Sequence, residues 1–297
     1  FGGFSTINGA VQPISSIEVF DPVTGVVSYQ GDMTTPRAMH TATPIPGRTD
    51  QFLLVGGTGN AAQSWEIWSA TSGVIRSGTL QAGRWGHTAT AYEDNQTIFI
   101  IGGENSGGMA QVIEVFRTAA EGFDAFAIPM TVITASGQTY MHRSLHTASF
   151  VEERGYIYLV GGFGPMDHTE IQTTIGVFSV EQEAFVAGAA GFNSEVARVA
   201  HTATTLENNR VLISGGMTLS GGVATPVTSG EMIFEHWDPV NQQSAIKVGT
   251  ADSLPQARFF HKGIRMDTGQ SFIVGGQAPI TGGTGYTGAL PGLLFNP

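Results

Sequence analysis

The stretch Arg84-Trp85-Gly86-His87-Thr88-Ala89, followed by the apolar run Ile98-Phe99-Ile100-Ile101-Gly102-Gly103, decides the fold of this chain. Its opening phrase, an arginine and a histidine separated by two variable residues, occurs five times along the sequence. The five pairs are Arg37 and His40, Arg84 and His87, Arg143 and His146, Arg198 and His201, and Arg258 and His261. The copies recur at intervals of roughly 50 residues, and a period of that length predicts a repeat architecture.

Each copy of the phrase is followed by a series of strand signals. An apolar run, a short polar turn and a second apolar run come first, and the second run ends in Gly-Gly. A third run carries an aromatic residue, as in Glu18-Val19-Phe20-Asp21-Pro22, and a weaker fourth run follows, as in Thr24–Tyr29. Short β-branched and aromatic runs bounded by Gly, Pro, Asn and Asp indicate strands. The repeat therefore predicts four antiparallel strands per unit.

Composition excludes several classes of protein. Charged residues make up 12% of the chain and the formal net charge is −11, which argues against general nucleic-acid binding because that needs a basic surface. The chain has no cysteine, which excludes disulfides, Cys-ligated zinc, Fe–S clusters and thiol nucleophiles. No apolar run reaches the roughly 18 residues that a membrane-spanning helix needs.

With these strands and the terminal Gly-Gly, the chain resembles kelch-type β-propellers, in particular bacterial kelch-like and galactose-oxidase-like propellers. The resemblance covers essentially the whole chain. Six Gly-Gly copies, starting at Gly2-Gly3, imply an all-β, six-bladed propeller with four-stranded antiparallel blades in a single domain, 1–297. The expected repeat units are 1–36, 37–83, 84–142, 143–197, 198–257 and 258–297.

The two ends of the chain depart from this pattern. The first copy lacks its first strand and most of its second, and the last copy lacks its fourth, so we expect incomplete terminal blades and a trimmed chain. A low charge, abundant Gly and Thr and the absence of cysteine favour an exported protein, whether periplasmic, cell-surface or extracellular.

Loop lengths distinguish the two faces of the predicted disc. Turns on one face are short and uniform, whereas the loops Thr58–Ser64, Met217–Ser229 and Gln277–Pro291, together with the inter-blade loop Ile128–Met141, are longer on the other face. Long, variable loops on a rigid scaffold are where binding sites usually lie. The repeated arginines are expected to line the channel mouth on this variable face.

The repeated residues allow two interpretations. Five guanidinium groups at a channel mouth would attract an anion, such as a carboxylate, sulfate or phosphate. Alternatively, each arginine pairs inside the fold with carbonyl groups or with the strand-three glutamates, Glu18, Glu66, Glu114 and Glu235. The repeated histidines are predicted to hydrogen-bond between blades rather than to bind a metal, because a fivefold arrangement would hold them too far apart for one ion.

Residues that interrupt the repeat are further ligand-binding candidates. Aromatic side chains beside arginines at a concave mouth are suited to stacking on a sugar ring or anchoring a peptide. The predicted ligand-binding set is Arg37, Arg84, Trp85, Tyr140, His142, Arg143, His168, Arg198, Arg258 and Phe259, with Phe260 and Tyr286 as further aromatic candidates. Asp167, His168 and Glu170 carry metal-ligand atoms, but three residues in one loop are a weak signal and no metal is predicted.

Catalytic motifs such as Gly-x-Ser-x-Gly and His-Glu-x-x-His are absent. Galactose oxidase needs a tyrosine cross-linked to cysteine, which this chain does not have. The main hypothesis is a non-catalytic module that binds a protein segment or glycan, without a cofactor. One alternative is an epimerase- or mutarotase-like enzyme acting on an anionic sugar, with His142, Asp167, His168 or Glu170 as acid and base. A second alternative is a structural module of a larger surface protein.

Overall fold

The computed structural model is an all-β, six-bladed β-propeller built from antiparallel sheets. It describes residues 1–134, 137–164, 168–187, 192–238, 243–280, 285–289 and 292–295. The six main sheets are named blades 1 to 6 in chain order. The chain divides into two compact units, Phe1–Met130 and Thr131–Pro297, and each unit contains three blades. The prediction of a single domain stays a prediction.

The first unit contains blades 1 to 3. Blade 1 has the order β1-β2-β3, with β1 Phe4–Ile7, β2 Ala10–Phe20 and β3 Val27–Arg37. Blade 2 has β4 Thr41–Pro44, β5 Gln51–Val55, β6 Ser64–Ser69 and β7 Gly73–Thr79 in sequential order. Blade 3 contains β8 Thr88–Tyr92, β9 Thr97–Ile101, β12 Val112–Arg117, β13 Gly122–Phe123 and β14 Ile128–Pro129. Its strands β13 and β14 both pair with β12.

The second unit contains blades 4 to 6. Blade 4 has β17 Thr147–Val151, β18 Tyr156–Val160, β19 Gly176–Ser179 and β20 Ala184–Phe185. Blade 5 has β21 Thr202–Thr205, β22 Val211–Ser214, β25 Gly230–Asp238 and β26 Gln243–Ala251. Blade 6 has β27 Lys262–Arg265, β28 Ser271–Val274 and β31 Leu293–Phe295.

Four separate two-stranded hairpins accompany the blades. They are β10 Glu104–Asn105 with β11 Gly108–Met109, β15 Thr131–Thr134 with β16 Gly137–Tyr140, β23 Met217–Ser220 with β24 Val223–Pro226, and β29 Gln277–Pro279 with β30 Tyr286–Gly288. Three of them follow a Gly-Gly pair, so part of what the sequence predicts as long loop is paired strand. The described residues also contain short 3₁₀ turns at Gly59–Ala61, Glu152–Arg154 and Glu207–Asn209.

The cores lie between successive blades. Leu53, Val55 and Ile67 of blade 2 pack with Ile98 and Ile100 of blade 3, and all five are at most 1% exposed. A second cluster joins Tyr158 and Val160 to Ile213 and Ile233 in blades 4 and 5. Blade 5 has a neighbour on both faces, because Val211 and Ile213 belong to the cluster shared with blade 4 and Leu212 belongs to a cluster shared with blade 6. Its second strand is therefore apolar on both sides, which explains a continuous apolar run in place of alternation.

The Gly-Gly pair is required by a close approach of two backbones. The N–H of Gly57 donates to the carbonyl oxygen of Arg84 at 2.9 Å, and Gly162 and Gly216 make the same bond to Arg198 and Arg258. The first glycine of the pair has a positive φ, and a Cβ at Gly56 would lie 2.3 Å from the Arg84 oxygen. These three Gly-Gly pairs therefore attach their blades to the backbone of the next Arg-x-x-His phrase.

A pair of nearby glycines tests this close approach. Gly56 and Gly59 both have φ +63°, but a Cβ at Gly59 would meet nothing within 4 Å. We expect Gly59→Ala to cost about 1–2 kcal/mol from backbone strain alone. Gly56→Ala should cost at least about 2 kcal/mol more, because the methyl group also collides with the Arg84 carbonyl. Urea unfolding of the two variants measures the difference, and equal losses of stability would contradict this account.

The terminal blades have three strands among their described residues, as the sequence predicts. In blade 1, however, β1 is not a second blade strand, because it pairs only with the first residues of β2, from Ala10 to Pro13. No helix in the described part of the chain is long and apolar enough to cross a membrane.

Candidate functional site

The Arg-x-x-His phrases and the segments after Gly-Gly lie at the same end of their blades. The residue after each arginine forms a β-bridge with the residue after Gly-Gly in four repeats: Trp85 with Glu104, Ser144 with Phe163, Val199 with Met217, and Phe259 with Gln277. The hairpin β15–β16 leads directly into the phrase at Arg143. We call this end of a blade, which carries the Arg-x-x-His phrase and the adjoining hairpin, the "hairpin end". The bridges fix the long loops to the scaffold.

The five repeated arginines are enclosed in the fold, with 0–1% of each residue exposed. Three of them pair with a glutamate on the third strand of the blade: Arg37 with Glu66 at 3.1 Å, Arg84 with Glu114 at 2.6 Å, and Arg198 with Glu231 at 2.5 Å. Burial lowers the pKa of Arg37 and Arg84, and the neighbouring carboxylate opposes that shift. Internal pairing, the alternative to anion binding, is therefore observed in these repeats.

The same carboxylates also hold the segment that leads into the phrase. The backbone N–H groups of Thr34, Gln81 and Glu195, each three residues before the arginine, donate to Glu66, Glu114 and Glu231 at 2.8–3.0 Å. Each glutamate thus joins the arginine to the preceding backbone. Of the glutamates predicted for this role, Glu66 and Glu114 are confirmed, but Glu235 is wrong because it pairs with Arg154. Glu18 is exposed.

Among the residues that the structure describes, no carboxylate pairs with Arg143. Strand pairing places Gly176 opposite Leu159, in the position that Glu66 and Glu114 occupy opposite Leu54 and Ile100. The Arg143 guanidinium instead donates to the carbonyl oxygens of Met141, Leu159, Gly161 and Thr174 at 3.0–3.3 Å. Burial lowers the pKa of Arg143 to about 10.

Arg258 differs from the other four arginines. Its Nη1 donates to the Gly275 carbonyl at 3.3 Å, whereas its Nε and Nη2 have no hydrogen-bond partner among the described residues. Strand pairing places Leu293 opposite Ile273, in the glutamate position. Ligand binding by Arg37, Arg84, Arg143 and Arg198 stays a prediction, and their enclosed guanidinium groups give it no support. Among the described residues, Arg258 leaves two donor atoms unmatched, Nε and Nη2, whereas Arg198 leaves only Nε.

Two of the repeated histidines, His87 and His201, bond to the preceding blade. Nε2 of His87 lies 2.9 Å from Oγ1 of Thr41, and Nε2 of His201 lies 2.9 Å from Oγ1 of Thr147. The threonine belongs to the preceding blade, so the predicted bond between blades is confirmed for these two histidines. Burial holds the pKa of His87 and His201 well below the usual value, and lowers that of His40 and His261 to about 4.

A second set of hydrogen bonds between blades involves the backbone of the residue just before the histidine, and sequence reasoning missed it. Met39, Gly86, Leu145, Ala200 and Phe260 all have φ between 53° and 64°. In this conformation the N–H of Gly86 donates to the carbonyl of Met39, and the N–H of Phe260 donates to that of Ala200. Gly86 was the only sequence signal, since the other four side chains give no indication of a left-handed backbone.

Aromatic residues that interrupt the repeat gather in blade 6. Phe259 is 3% exposed, and its ring centroid lies 5.0 Å from that of Tyr286 and 5.5 Å from that of Phe260. Tyr286 is 46% exposed and Phe260 is 49% exposed. The structure thus brings together a buried aromatic anchor and two accessible rings at one hairpin end.

The remaining candidates are more scattered. Tyr140 is 53% exposed with its ring 5.4 Å from that of His142, which is buried. His168 is exposed and its ring lies 4.9 Å from that of Phe163. Trp85 is half-buried and Glu170 is exposed. Asp167 lies outside the described residues. No group of three His, Cys, Asp or Glu side chains among the described residues is placed to hold a metal ion.

A polar cleft of about 400 Å³ lies where the sequence predicts plain turns. Its lining includes Glu152, Asn208 and Asn209, from the turns that join first and second strands in blades 4 and 5, and Arg265 at the end of β27 in blade 6. It carries none of the predicted site residues. The chain matches no protein-family model and no curated protein.

Proposed function

We propose that this protein is a kelch-like β-propeller that acts as a non-catalytic binding module, holding a protein segment or a glycan at the hairpin end of blade 6. One observation carries the proposal: Phe260 and Tyr286 present half-exposed rings around the buried ring of Phe259. Aromatic rings that are partly exposed and fixed at their base suit stacking on a sugar or on apolar peptide side chains.

The backbone at Phe260 supports this interpretation. A bulky residue with φ 54° is strained, and glycine occupies the same position in blade 3 as Gly86. The repeat explains the left-handed conformation but does not require a large exposed ring there. A large ring at such a position, left half in solvent, is suited to contact with a partner.

The repeat itself supports the kelch-type assignment. Each blade from 2 to 5 has four main strands, with the fourth strand of blade 3 divided in two, and Gly-Gly ends the second strand. The period of roughly 50 residues is that of kelch repeats. The two alternative functions, an enzyme on an anionic sugar and a structural module, stay predictions. The enzyme hypothesis relied on accessible arginines, and the enclosed guanidinium groups do not supply them.

The test is a matched pair of variants in a ligand screen. Immobilised protein is screened against a glycan array and a random-peptide phage library. Phe260→Gly is expected to leave the fold intact, because glycine suits φ 54°, and to weaken binding of the selected ligand by about tenfold or more. Phe126→Ser is the control, because Phe126 is 89% exposed and lies in blade 3 between β13 and β14, outside the four hairpins. No selected ligand, or equal binding by both variants, would contradict the proposal.

A further inference from the structure

The anion position beside Arg258 is built like three other positions in the chain, but its internal carboxylate is missing. In blades 2, 3 and 5 a glutamate fills this position, and in blade 6 Leu293 replaces it. The arginine is nevertheless retained and is 0% exposed. Blade 6 therefore keeps the donor of a buried ion pair without the acceptor.

The unused donors of Arg258 lie on one edge of the guanidinium group. Nε and Nη2 together form the fork that binds both oxygens of a carboxylate in a bidentate pair. Both atoms are buried and have no hydrogen-bond partner among the described residues, whereas Arg198 leaves only its Nε unmatched and places Nη2 on Glu231. A buried charge with unsatisfied donors costs free energy. Binding of an oxyanion to Nε and Nη2 would therefore be strongly favourable.

The segment before Arg258 has changed together with the glutamate position. Glu231 in blade 5 accepts from the hydroxyl of Ser194 at 2.6 Å and from the N–H of Glu195 at 3.0 Å. The corresponding residues before Arg258 are Leu254 and Pro255, and proline has no N–H. At these two positions blade 6 is therefore more apolar than blade 5, and a charge-assisted bond gains strength in an apolar environment.

Because Arg258 is 0% exposed, access to this position requires the edge of blade 6 to open. Its outermost described strand is β31, which has three residues, and Leu293 on that strand is half-buried. A short edge strand opens locally at low free energy. Phe259, the next residue after Arg258, belongs to the aromatic group formed with Phe260 and Tyr286.

We infer that Arg258 is the receptor for a carboxylate that a ligand supplies, either as a free small carboxylate or as a Glu or Asp side chain on a bound peptide. The ligand's carboxylate takes the place that Glu66, Glu114 and Glu231 occupy in the other blades. This inference rests on the proposed binding function only for the location of the ligand, and it names one chemical group of that ligand.

The experiment measures carboxylate binding by calorimetry in two arms at constant ionic strength. One arm uses sodium acetate, with sodium chloride as the reference. The other uses the peptide acetyl-Leu-Glu-Phe-amide, with acetyl-Leu-Gln-Phe-amide as the reference. Saturable binding in the acetate arm identifies a free carboxylate, and a preference for the Glu peptide alone identifies a peptide side chain. Either result supports the inference.

Three variants test whether the carboxylate binds at Nε and Nη2 of Arg258. Arg258→Met removes the guanidinium group, and Leu293→Glu places a carboxylate of the chain itself against the Arg258 donors. Each change is therefore expected to weaken binding of an added carboxylate by about tenfold or more. Leu293→Gln has the same size as Leu293→Glu without the charge, and should keep the binding. Absence of binding in both arms, equal binding of the Glu and Gln peptides without acetate binding, or full binding by Arg258→Met would overturn the inference. The proposed aromatic site is tested separately by Phe260→Gly, which leaves Arg258 in place.

Discussion

Acidification from pH 7 to pH 5 is expected to lower the free energy of unfolding by several kcal/mol. Burial keeps His40 and His261 neutral in the fold, with pKa values of about 4, and holds those of His87 and His201 well below the usual value. The unfolded chain takes up protons near pH 6.5, which the folded chain cannot accept. Stability is therefore complete above pH 6.5 and falls as the pH drops towards 4. At pH 5, His40 and His261 each contribute a loss of about 2 kcal/mol.

Urea unfolding at pH 7, 6 and 5 measures this dependence. His87→Gln removes one buried titrating group while keeping an amide to bond Thr41, so its stability should fall less steeply with acid. Thr41→Val removes the same bond between blades but no titrating group, so it should leave the slope unchanged. A flat profile between pH 7 and pH 5, or the same change of slope in both variants, would show that the buried histidines do not control acid stability.

Replacement of Glu114 by leucine is expected to cost about 3–5 kcal/mol, because it leaves the Arg84 guanidinium buried without its carboxylate. The change also removes the acceptor for the N–H groups of Gln81 and Ala82. Glu235→Leu is the matched control, since Glu235 pairs with Arg154 at the surface and should contribute no more than about 1 kcal/mol.

A double variant separates the cost of leaving Arg84 buried without a carboxylate from the other costs of replacing Glu114. Arg84→Met combined with Glu114→Leu removes both charges, and should be at least about 2 kcal/mol more stable than Glu114→Leu alone. Chemical denaturation of the four proteins in this cycle gives the coupling. Strictly additive losses would mean that Arg84 and Glu114 act independently.

Local patterns in the sequence predict most of the fold. The blades are identified by the apolar runs, the Gly-Gly pairs and the period. Each of these signals depends on the local sequence of one strand and not on long-range contacts. The loop between Gly276 and Gly292 is predicted as long, but its pairing of Gln277–Pro279 with Tyr286–Gly288 is not, since that pairing depends on contacts and not on length.

The candidate site was less accessible from sequence. Glu235 resembles the other third-strand glutamates because an aromatic residue follows two positions later. The register of β25 on β22 places Glu231 opposite Ile213 instead, and register cannot be read from residue types alone. The burial of the arginines depends on the Gly-Gly pairs that close over their backbone, which is a long-range contact. That Arg258 lacks an acceptor follows only from the pairing of Ile273 with Leu293.

We propose that the repeated arginine is a structural anchor where a carboxylate faces it, and an open receptor at Arg258. The most direct test is the free energy of unfolding of Leu293→Glu against Leu293→Gln, measured without added carboxylate. The two side chains have the same size, so their difference isolates the charge. Glutamate is predicted to be the more stable by at least about 1 kcal/mol, through a charge-assisted bond to Arg258. Equal stability, or greater stability of the glutamine variant, would contradict an open fork at Arg258.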